Sequence, residues 1–242
     1  MSQLLDMRVG ALSRYPNGYL ALQSGEIEKC SSVHLFGSNQ TVSMSYETIH
    51  SGDGVIYTFP SSASTLSLVS TASDTMDVKI TGLDSNWDIL TETVTLTGTT
   101  PVSTTGEFLR VNDARITTSS NAGDITITHG SDEVSFIAAG MGAQQAAIYS
   151  VPRSHDFYVM QAMFTSGTVN ESKYISARAL LSKDGGADLY FWETSFVQSA
   201  LTYDLIQPFY ISEKTDFAIE AKSSSQTNHV AVYISGILIN EN

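Results

Sequence analysis

The stretch MDVKITGLDSNWDILTETVTLT, residues 76–97, contains two short segments in which apolar and polar side chains alternate. In the first, Val78 and Ile80 are apolar; in the second, Val94 and Leu96 alternate with threonines. A period of two residues places successive side chains on opposite faces of a β-strand. Turn-forming residues at 82–86 separate the two segments. The stretch therefore predicts antiparallel strands with one apolar face and one hydroxyl-rich face.

Comparable segments follow one another through most of the chain. Predicted strands include residues 42–49, 55–59, 66–70, 124–128, 157–164, 174–181 and 230–239. Strands that recur about every 8–12 residues between turn signals are typical of sandwiches and barrels. Helical segments do not alternate with these strands, which argues against a doubly wound α/β fold. We predict an all-β protein built from antiparallel, jelly-roll-like β-sandwiches.

A change of composition divides the strand-rich chain. The segment AAGMGAQQAA, residues 138–147, is small and uncharged, and its two glycines disfavour a helix. We predict an N-terminal arm at residues 1–32, a first β-sandwich at 33–137, a linker at 138–151 and a second, jelly-roll-like sandwich at 152–242.

The charge balance bears on the class of partner. The 242 residues include 12 basic and 25 acidic side chains, which gives a net charge of −13. Nucleic-acid binding depends on Lys and Arg that neutralise phosphates, and anionic membranes attract the same residues. We therefore expect neither a nucleic-acid nor a membrane partner.

Cysteine usage and the N-terminal residues bear on the compartment. Cys30 is the only cysteine in the sequence, so an intramolecular disulfide is excluded, and we expect a small buried hydrophobe. The first nine residues lack a basic region followed by an apolar run, and no window approaches the ~18 apolar residues of a membrane span. We expect synthesis and folding in a cytoplasm.

The sequence contains no recognised catalytic signature. The histidines are not at metal-ligand spacing; they are His34, His50, His129, His155 and His229. Nucleophile-elbow, Walker and Rossmann patterns are also absent from the sequence. We predict that the protein is not an enzyme and has no catalytic, cofactor-binding or metal site.

Acidic residues leave open two alternatives, a bound cation and a glycoside-hydrolysing carboxylate pair. Asp184 and Asp188 flank a Gly-Gly pair that weakly resembles a calcium loop but lacks the other ligands, so a hairpin turn is the preferred interpretation. A loop cation remains an alternative for Asp53, Asp74, Asp77 and Asp84. A carboxylate pair for glycoside hydrolysis, as in a carbohydrate-active enzyme, is a further alternative, although no pair stands out.

Aromatic and apolar residues provide the interface candidates. Tyr190, Phe191 and Trp192 place rings on both faces of a predicted strand, of which one face must be core. The other face suits a subunit interface or a sugar-stacking platform. Trp87 is predicted to close the end of the first sandwich. The candidate interface residues are Met1, Leu4, Leu5, Met7, Tyr15, Tyr190 and Trp192.

Several motifs resemble those of virion structural proteins of tailed bacteriophages, especially marine and cyanobacterial phages. The resemblance lies in Val78-x-Ile80-x-Gly82-Leu83-Asp84-x-x-Trp87, Thr91-Glu92-Thr93-Val94-Thr95-Leu96-x-Gly98-Thr99-Thr100-Pro101-Val102, Phe108-x-Arg110-Val111, Gly123-Asp124-Ile125, Pro208-Phe209-Tyr210-Ile211-Ser212-Glu213-Lys214-Thr215-Asp216 and Gly236-Ile237-Leu238-Ile239. It spans residues 78–239 and leaves the N-terminal third unmatched.

The resemblance implies a non-enzymatic virion component that is made in the host cytoplasm. Our first hypothesis is a capsid decoration or cement protein that forms a homo-oligomer, expected to be a trimer, and binds the major capsid protein or other virion proteins. The second is a tail, collar or fibre component that binds host glycans. The third is a lectin or carbohydrate-active enzyme.

Overall fold

The computed structural model describes residues 21–22, 24–51, 56–118, 120–167, 173–197, 199–225 and 227–242. Their strands are β1 (Cys30–Val42), β2 (Glu47–Thr48), β3 (Ser64–Ser70), β4 (Asp77–Leu83), β5 (Ile89–Thr95), β6 (Val102–Phe108), β7 (Arg110–Ile116), β8 (Ile125–His129), β9 (Asp132–Ile137), β10 (Ile148–Ser150), β11 (His155–Ser166), β12 (Ile175–Lys183), β13 (Leu189–Phe196), β14 (Ala200–Ile211), β15 (Thr215–Ser223) and β16 (Asn228–Asn240). The all-β prediction is confirmed. Within the described ranges, no helix is long and apolar enough to cross a bilayer.

Two pairs of antiparallel sheets enclose two main cores. Sheet A has the order β1-β16-β11-β14, and sheet B has the order β10-β15-β12-β13 with β2 also paired to β15. Sheet C has the order β6-β3-β8-β9, and sheet D has the order β5-β4-β7. The larger core draws on sheets A and B, and the second core draws mainly on sheets C and D.

The alternation in residues 76–97 produces the expected strands. Val78 and Ile80 on β4 and Leu96 after β5 are buried in the second core, whereas the threonines of β5 face outward. The carboxylate of Glu92 on β5 accepts hydrogen bonds from the backbone N–H groups of Thr105 and Gly106, both at 2.8 Å. These bonds tie β5 to β6, so the free edges of sheets C and D are joined.

A bulge changes the predicted face of β11. The alternation predicts Tyr158, Met160, Ala162 and Phe164 on one side, but the pairing register shifts between Val159 and Gln161. Ala162 and Phe164 therefore face the main core, whereas Tyr158 and Met160 pack on the opposite face of sheet A. One extra residue in a strand inverts the side-chain faces beyond it.

The first described strand pairs with the last. β1 runs antiparallel to β16 from Cys30↔Ile239 to Val42↔Asn228, and β2 pairs with β15. β1 and β2 thus pair with C-terminal strands, whereas the sequence assigned residues 33–137 to the first sandwich. Local periodicity does not reveal a partner so far along the chain. The division into domains stays a prediction.

The predicted strand at residues 42–49 is wrong because the chain turns within it. β1 ends at Val42, and β2 comprises Glu47 and Thr48 alone. The carboxylate of Glu47 accepts hydrogen bonds from Asn39 Nδ2 at 3.2 Å and from the N–H of Ser43 at 3.1 Å. This side chain therefore holds a turn where alternation alone predicted extended backbone.

The predicted linker at 138–151 is bonded to both cores. Ala143 forms an isolated bridge with Arg115 on β7, and Ala146 forms one with His50. β10 lies within the same range and pairs with β15. This segment connects the sandwiches through backbone hydrogen bonds.

A buried ion pair also joins the two cores. Arg110 on β7 and Asp216 on β15 are 3% and 0% exposed. The guanidinium lies between the rings of Phe59 and Trp87, with centroid distances of 5.4 and 5.0 Å. Ser150 Oγ donates a further hydrogen bond of 2.5 Å to Asp216 Oδ1. Every oxygen of the buried carboxylate thus has a partner, as burial of a charge requires.

Candidate functional site

Exposed apolar side chains are concentrated on β13 and β14. These strands form the outer edges of sheets B and A, and they follow each other in the chain. Their exposed large side chains are Leu189, Tyr190, Phe191, Ile206 and Tyr210. We call these two strands and their side chains the β13–β14 edge. Exposed apolar side chains of this size are candidates for contact with a partner.

Ile206 projects from an irregularity in β14. The pairing with β11 passes from Gln161↔Asp204 to Val159↔Phe209, so residues 205–208 lie opposite a single residue of β11. Pro208 in this segment has no N–H to donate to a ladder. Ile206 is 99% exposed, which leaves its whole side chain in water. Burial of an isoleucine stabilises by about 1.5–3 kcal/mol, so Ile206 is a strong contact candidate.

A second bulge separates the two aromatic interface candidates of β13. Tyr190 pairs with Leu180 and Trp192 pairs with Ala179, so Phe191 is the extra residue. Tyr190 and Trp192, which alternation would place on one face, therefore lie on opposite faces. Tyr190 is 47% exposed, whereas Trp192 packs against the main core.

Trp192 and Phe191 line an apolar cleft between β13 and β14. The cleft has a volume of about 120 Å³ and lies over core residues that include Phe164 and Ile234. Trp192 stacks on Phe164 at 5.6 Å, and Phe191 stacks on Phe209 at 4.2 Å and 10°. The stacked rings connect the edges of sheets A and B.

Tyr190 is held in place by a cation–π stack. The guanidinium of Arg178 lies between the rings of Tyr46 and Tyr190, at 3.8 and 3.7 Å from their centroids. It also forms an ion pair of 2.6 Å with Glu220, which is 1% exposed. Arg178 Nη2 donates a hydrogen bond of 3.0 Å to the Tyr190 hydroxyl. The Tyr190 ring is thus fixed before any partner binds, which lowers the entropic cost of binding.

Burial and nearby negative charge raise the pKa of both tyrosine hydroxyls. Burial, reinforced by the negative charge of Glu220, raises the pKa of Tyr190 above its ordinary value. Burial, with a hydrogen bond donated to Glu193 at 2.6 Å, raises the pKa of Tyr46 more strongly. Both hydroxyls, which an ordinary tyrosine pKa of about 10 already keeps protonated at neutral pH, therefore stay protonated into more alkaline solution.

The outward side of sheet A carries a second apolar surface, which we call the outer face. Phe36 pairs with Tyr233, and Tyr233 pairs with Met163, so the three side chains form a row across β1, β16 and β11. Phe36 is 58% exposed, and its ring lies 4.8 Å from that of Tyr233. Two grooves of about 490 and 620 Å³ flank this row. Sequence reasoning missed this surface because β1 itself was missed.

The acidic side chains considered for a cation have other partners. Asp74 accepts hydrogen bonds from Ser70 Oγ and from two backbone N–H groups; Asp77 accepts one from Thr95, and Asp84 accepts two from backbone N–H groups. Asp53 lies outside the described residues. Within the described part of the chain, no three His, Cys, Asp or Glu side chains are grouped as a metal would require.

The remaining sequence predictions have mixed outcomes. Asp184 and Gly185, both with positive φ, form the turn of the β12–β13 hairpin, as the preferred interpretation expected. Trp87, 8% exposed, packs with Leu83 and Leu109 in a small separate cluster. The candidates Met1, Leu4, Leu5, Met7 and Tyr15 lie outside the described residues, so their contacts stay a prediction.

No protein-family model and no curated protein matches the chain. Among solved structures, it is similar to the VP2 subviral particle of infectious bursal disease virus, with 10% identity, coverage of 88% of this chain and 73% of that chain, and a TM-score of 0.26. It is similar to the structure of the Gx strain of the same virus, with 10% identity, coverage of 89% and 73%, and a TM-score of 0.26. Similarities this low do not establish a common fold or function.

Proposed function

We propose that the chain is a non-enzymatic structural protein of a tailed-phage virion, and that it decorates the outside of the head and cements the shell. The observation that supports assembly is the β13–β14 edge, where Ile206 on β14 is 99% exposed and the exposed ring of Tyr190 on β13 is held by Arg178. Such side chains gain free energy when a protein neighbour removes them from water. The motifs that resemble phage virion proteins support the proposal that this assembly is a phage particle.

In the proposed mechanism, copies associate around a symmetry axis as trimers and each copy bridges neighbouring major capsid subunits. The β13–β14 edge and the N-terminal residues Met1, Leu4, Leu5, Met7 and Tyr15 supply the contacts. The Arg110–Asp216 pair links the two cores, so load applied to one sandwich passes to the other. This linkage is what a protein that resists the pressure of packaged DNA requires.

The test is labelling of intact phage particles with a gold-conjugated antibody raised against this chain, viewed by electron microscopy. We expect label over the whole head surface. Label confined to the tail or neck, or found only after particles are disrupted, contradicts the decoration role. Light scattering of the purified chain after gel filtration tests the trimer separately.

A tail, collar or fibre component that binds host glycans is the second candidate. Tyr190 favours it, because an exposed ring fixed by Arg178 provides a surface on which a sugar ring can stack. Titration with host surface glycans tests this candidate: Tyr190→Ala should abolish binding, whereas Tyr174→Ala, at a comparably exposed tyrosine before β12, should preserve it. Absence of binding by the unaltered chain contradicts it.

A further inference from the structure

The outer face of sheet A is partly covered by the chain's own residues. Leu22 is 4% exposed and packs on Ile237 and Ile239 of β16. Ile27 packs against the same cluster. The part of the face near Cys30 is therefore shielded from water by the residues that precede β1.

The rest of the outer face lacks such a cover among the described residues. Phe36 is 58% exposed and Met163 is 37% exposed. Met141 is 49% exposed and lines the same groove as these two side chains. Apolar side chains thus continue beyond the point that Leu22 covers.

The covered and open parts are continuous. The groove of about 490 Å³ is lined by Leu22 and Ile237 and also by Tyr233 and Ile206. The groove of about 620 Å³ shares Tyr233 and extends to Phe36 and Met163. Leu22, near the start of the described chain, therefore lines a groove that leads onto the exposed row.

We propose that residues 1–20 bind along the outer face of sheet A of the same chain and cover Phe36, Tyr233 and Met163. This inference concerns the isolated subunit, before residues 1–20 contact a neighbouring subunit in the proposed particle, and it does not depend on the virion role. It assigns the N-terminal segment a docking surface within its own subunit.

The segment is long enough for this contact. Ser32 lines the groove beside Leu22, and Phe36 lies four positions further along β1, a distance of about 13 Å at the strand rise. Twenty extended residues reach about 66 Å. Residues 1–20 therefore span the face several times over and need no second copy to reach its far end.

The chemistry of the segment matches the surface. Leu5, Met7 and Val9 alternate with Asp6 and Arg8, so an extended backbone presents one apolar side. The apolar side suits the row of Phe36, Tyr233 and Met163.

The charges of the segment also complement the face. Residues 1–20 carry two arginines, Arg8 and Arg14, against one acid, Asp6, whereas the whole chain has a net charge of −13. The exposed Asp204 lines the groove and offers an acidic partner.

Methionine oxidation tests the proposal in the full-length protein. Met163 and Met141 lie on the outer face, whereas Met44, 65% exposed and outside both groove linings, is an internal control. Dilute hydrogen peroxide followed by peptide mass spectrometry gives the rate at each site. We expect Met163 to oxidise roughly fivefold or more slowly than Met44 in the full chain, because oxidation follows exposure. Deletion of residues 1–20 should bring the two rates together.

Two further variants test the proposal if the deletion variant fails to fold. Leu5→Asp with Val9→Asp places charge on the apolar side of the segment and should expose Met163. Ser2→Asp with Ser13→Asp adds the same charge elsewhere and should leave Met163 protected. Equal Met163 rates in all variants overturn the proposal.

Dilution of the protein shows whether the outer face is covered by the same chain or by a second copy. Cover by the same chain is independent of protein concentration, so Met163 should stay protected when the full chain is diluted a hundredfold. Protection that disappears on dilution overturns the proposal and assigns the cover to a second copy. The particle labelling described above is independent, so either idea can fail alone.

Discussion

Arg110 on β7 and Asp216 on β15 form a two-point ion pair, with Nε–Oδ1 and Nη2–Oδ2 distances of 2.7 Å, between the two cores. Both side chains are almost fully out of solvent. The two parallel N–H···O bonds join opposite charges, and their attraction offsets part of the cost of removing both charges from water. This pair is therefore expected to matter more when one partner is lost than when both are replaced.

The first prediction is that substitutions at this pair change the free energy of unfolding non-additively. Arg110→Ala or Asp216→Ala should lower the free energy of unfolding by about 3–5 kcal/mol, because each leaves a buried charge without its partner. The double variant Arg110→Met, Asp216→Leu should lose clearly less than the sum. Urea denaturation measures all three. The exposed pair of Arg115 and Asp113 is the control, where Arg115→Ala should cost at most about 1 kcal/mol. Additive losses at Arg110 and Asp216 would contradict the prediction.

The second prediction concerns acid stability at Asp74. The hydrogen bond from Ser70, followed by those from the backbone N–H groups of Ala122 and Gly123, outweighs burial and lowers the pKa of Asp74. A carboxyl whose pKa is lower in the folded state stabilises the fold above its unfolded pKa of about 3.9. That stabilisation is lost as the pH falls through the folded pKa.

Asp74→Asn should therefore destabilise the protein at neutral pH by about 1–3 kcal/mol, because an amide leaves part of this donor set unsatisfied. The difference from the unaltered chain should shrink below about pH 4. Thermal unfolding across pH 2–7 measures it, with the exposed Asp132→Asn as a control expected to differ by about 0.5 kcal/mol or less. A difference that stays constant with pH would contradict the assignment.

The third prediction concerns Gly236 on β16. A Cβ added there would overlap the backbone carbonyl oxygen of Tyr158 and lie 2.6 Å from Phe157 Cε2. The strands cannot separate without breaking their ladder, so Gly236→Ala should cost about 1–3 kcal/mol or more of unfolding free energy. Ser235→Ala, one residue earlier, should be close to neutral. Equal melting temperatures for the two variants would show that the strands tolerate the extra atom.

The fourth prediction concerns Ile206. Ile206→Asp should leave the unfolding free energy within about 0.5 kcal/mol, because the side chain is in water, but should abolish binding to phage particles. Gln207→Asp adds the same charge at the adjacent exposed position and should bind normally. Cosedimentation of purified protein with particles that lack it measures binding. Normal binding of the Ile206 variant would remove this residue from the proposed contact.

Periodicity predicted most strands because their buried faces depend on local alternation. It failed where the fold depends on distant pairing: β1 was missed, since its partner β16 lies at the other end of the chain. Bulges were equally invisible, although the extra residue Phe191 decides that Tyr190 faces solvent and Trp192 the core. Tyr190 was thus identifiable as an exposed aromatic, whereas Ile206 was not, because its exposure follows from an irregular register in β14.

The pairing of β1 with β16 also bears on biosynthesis. Ribosomes add roughly 5–20 residues per second, so β1 leaves the exit tunnel on the order of ten seconds or more before β16 is translated. β16 lies between β1 and β11, so sheet A acquires its order only when residues 228–240 have emerged. A polypeptide released early would lack the platform that holds Phe36 and Met163 in one row. Messages that are cut short would thus yield subunits without the complete surface on which residues 1–20 are proposed to bind.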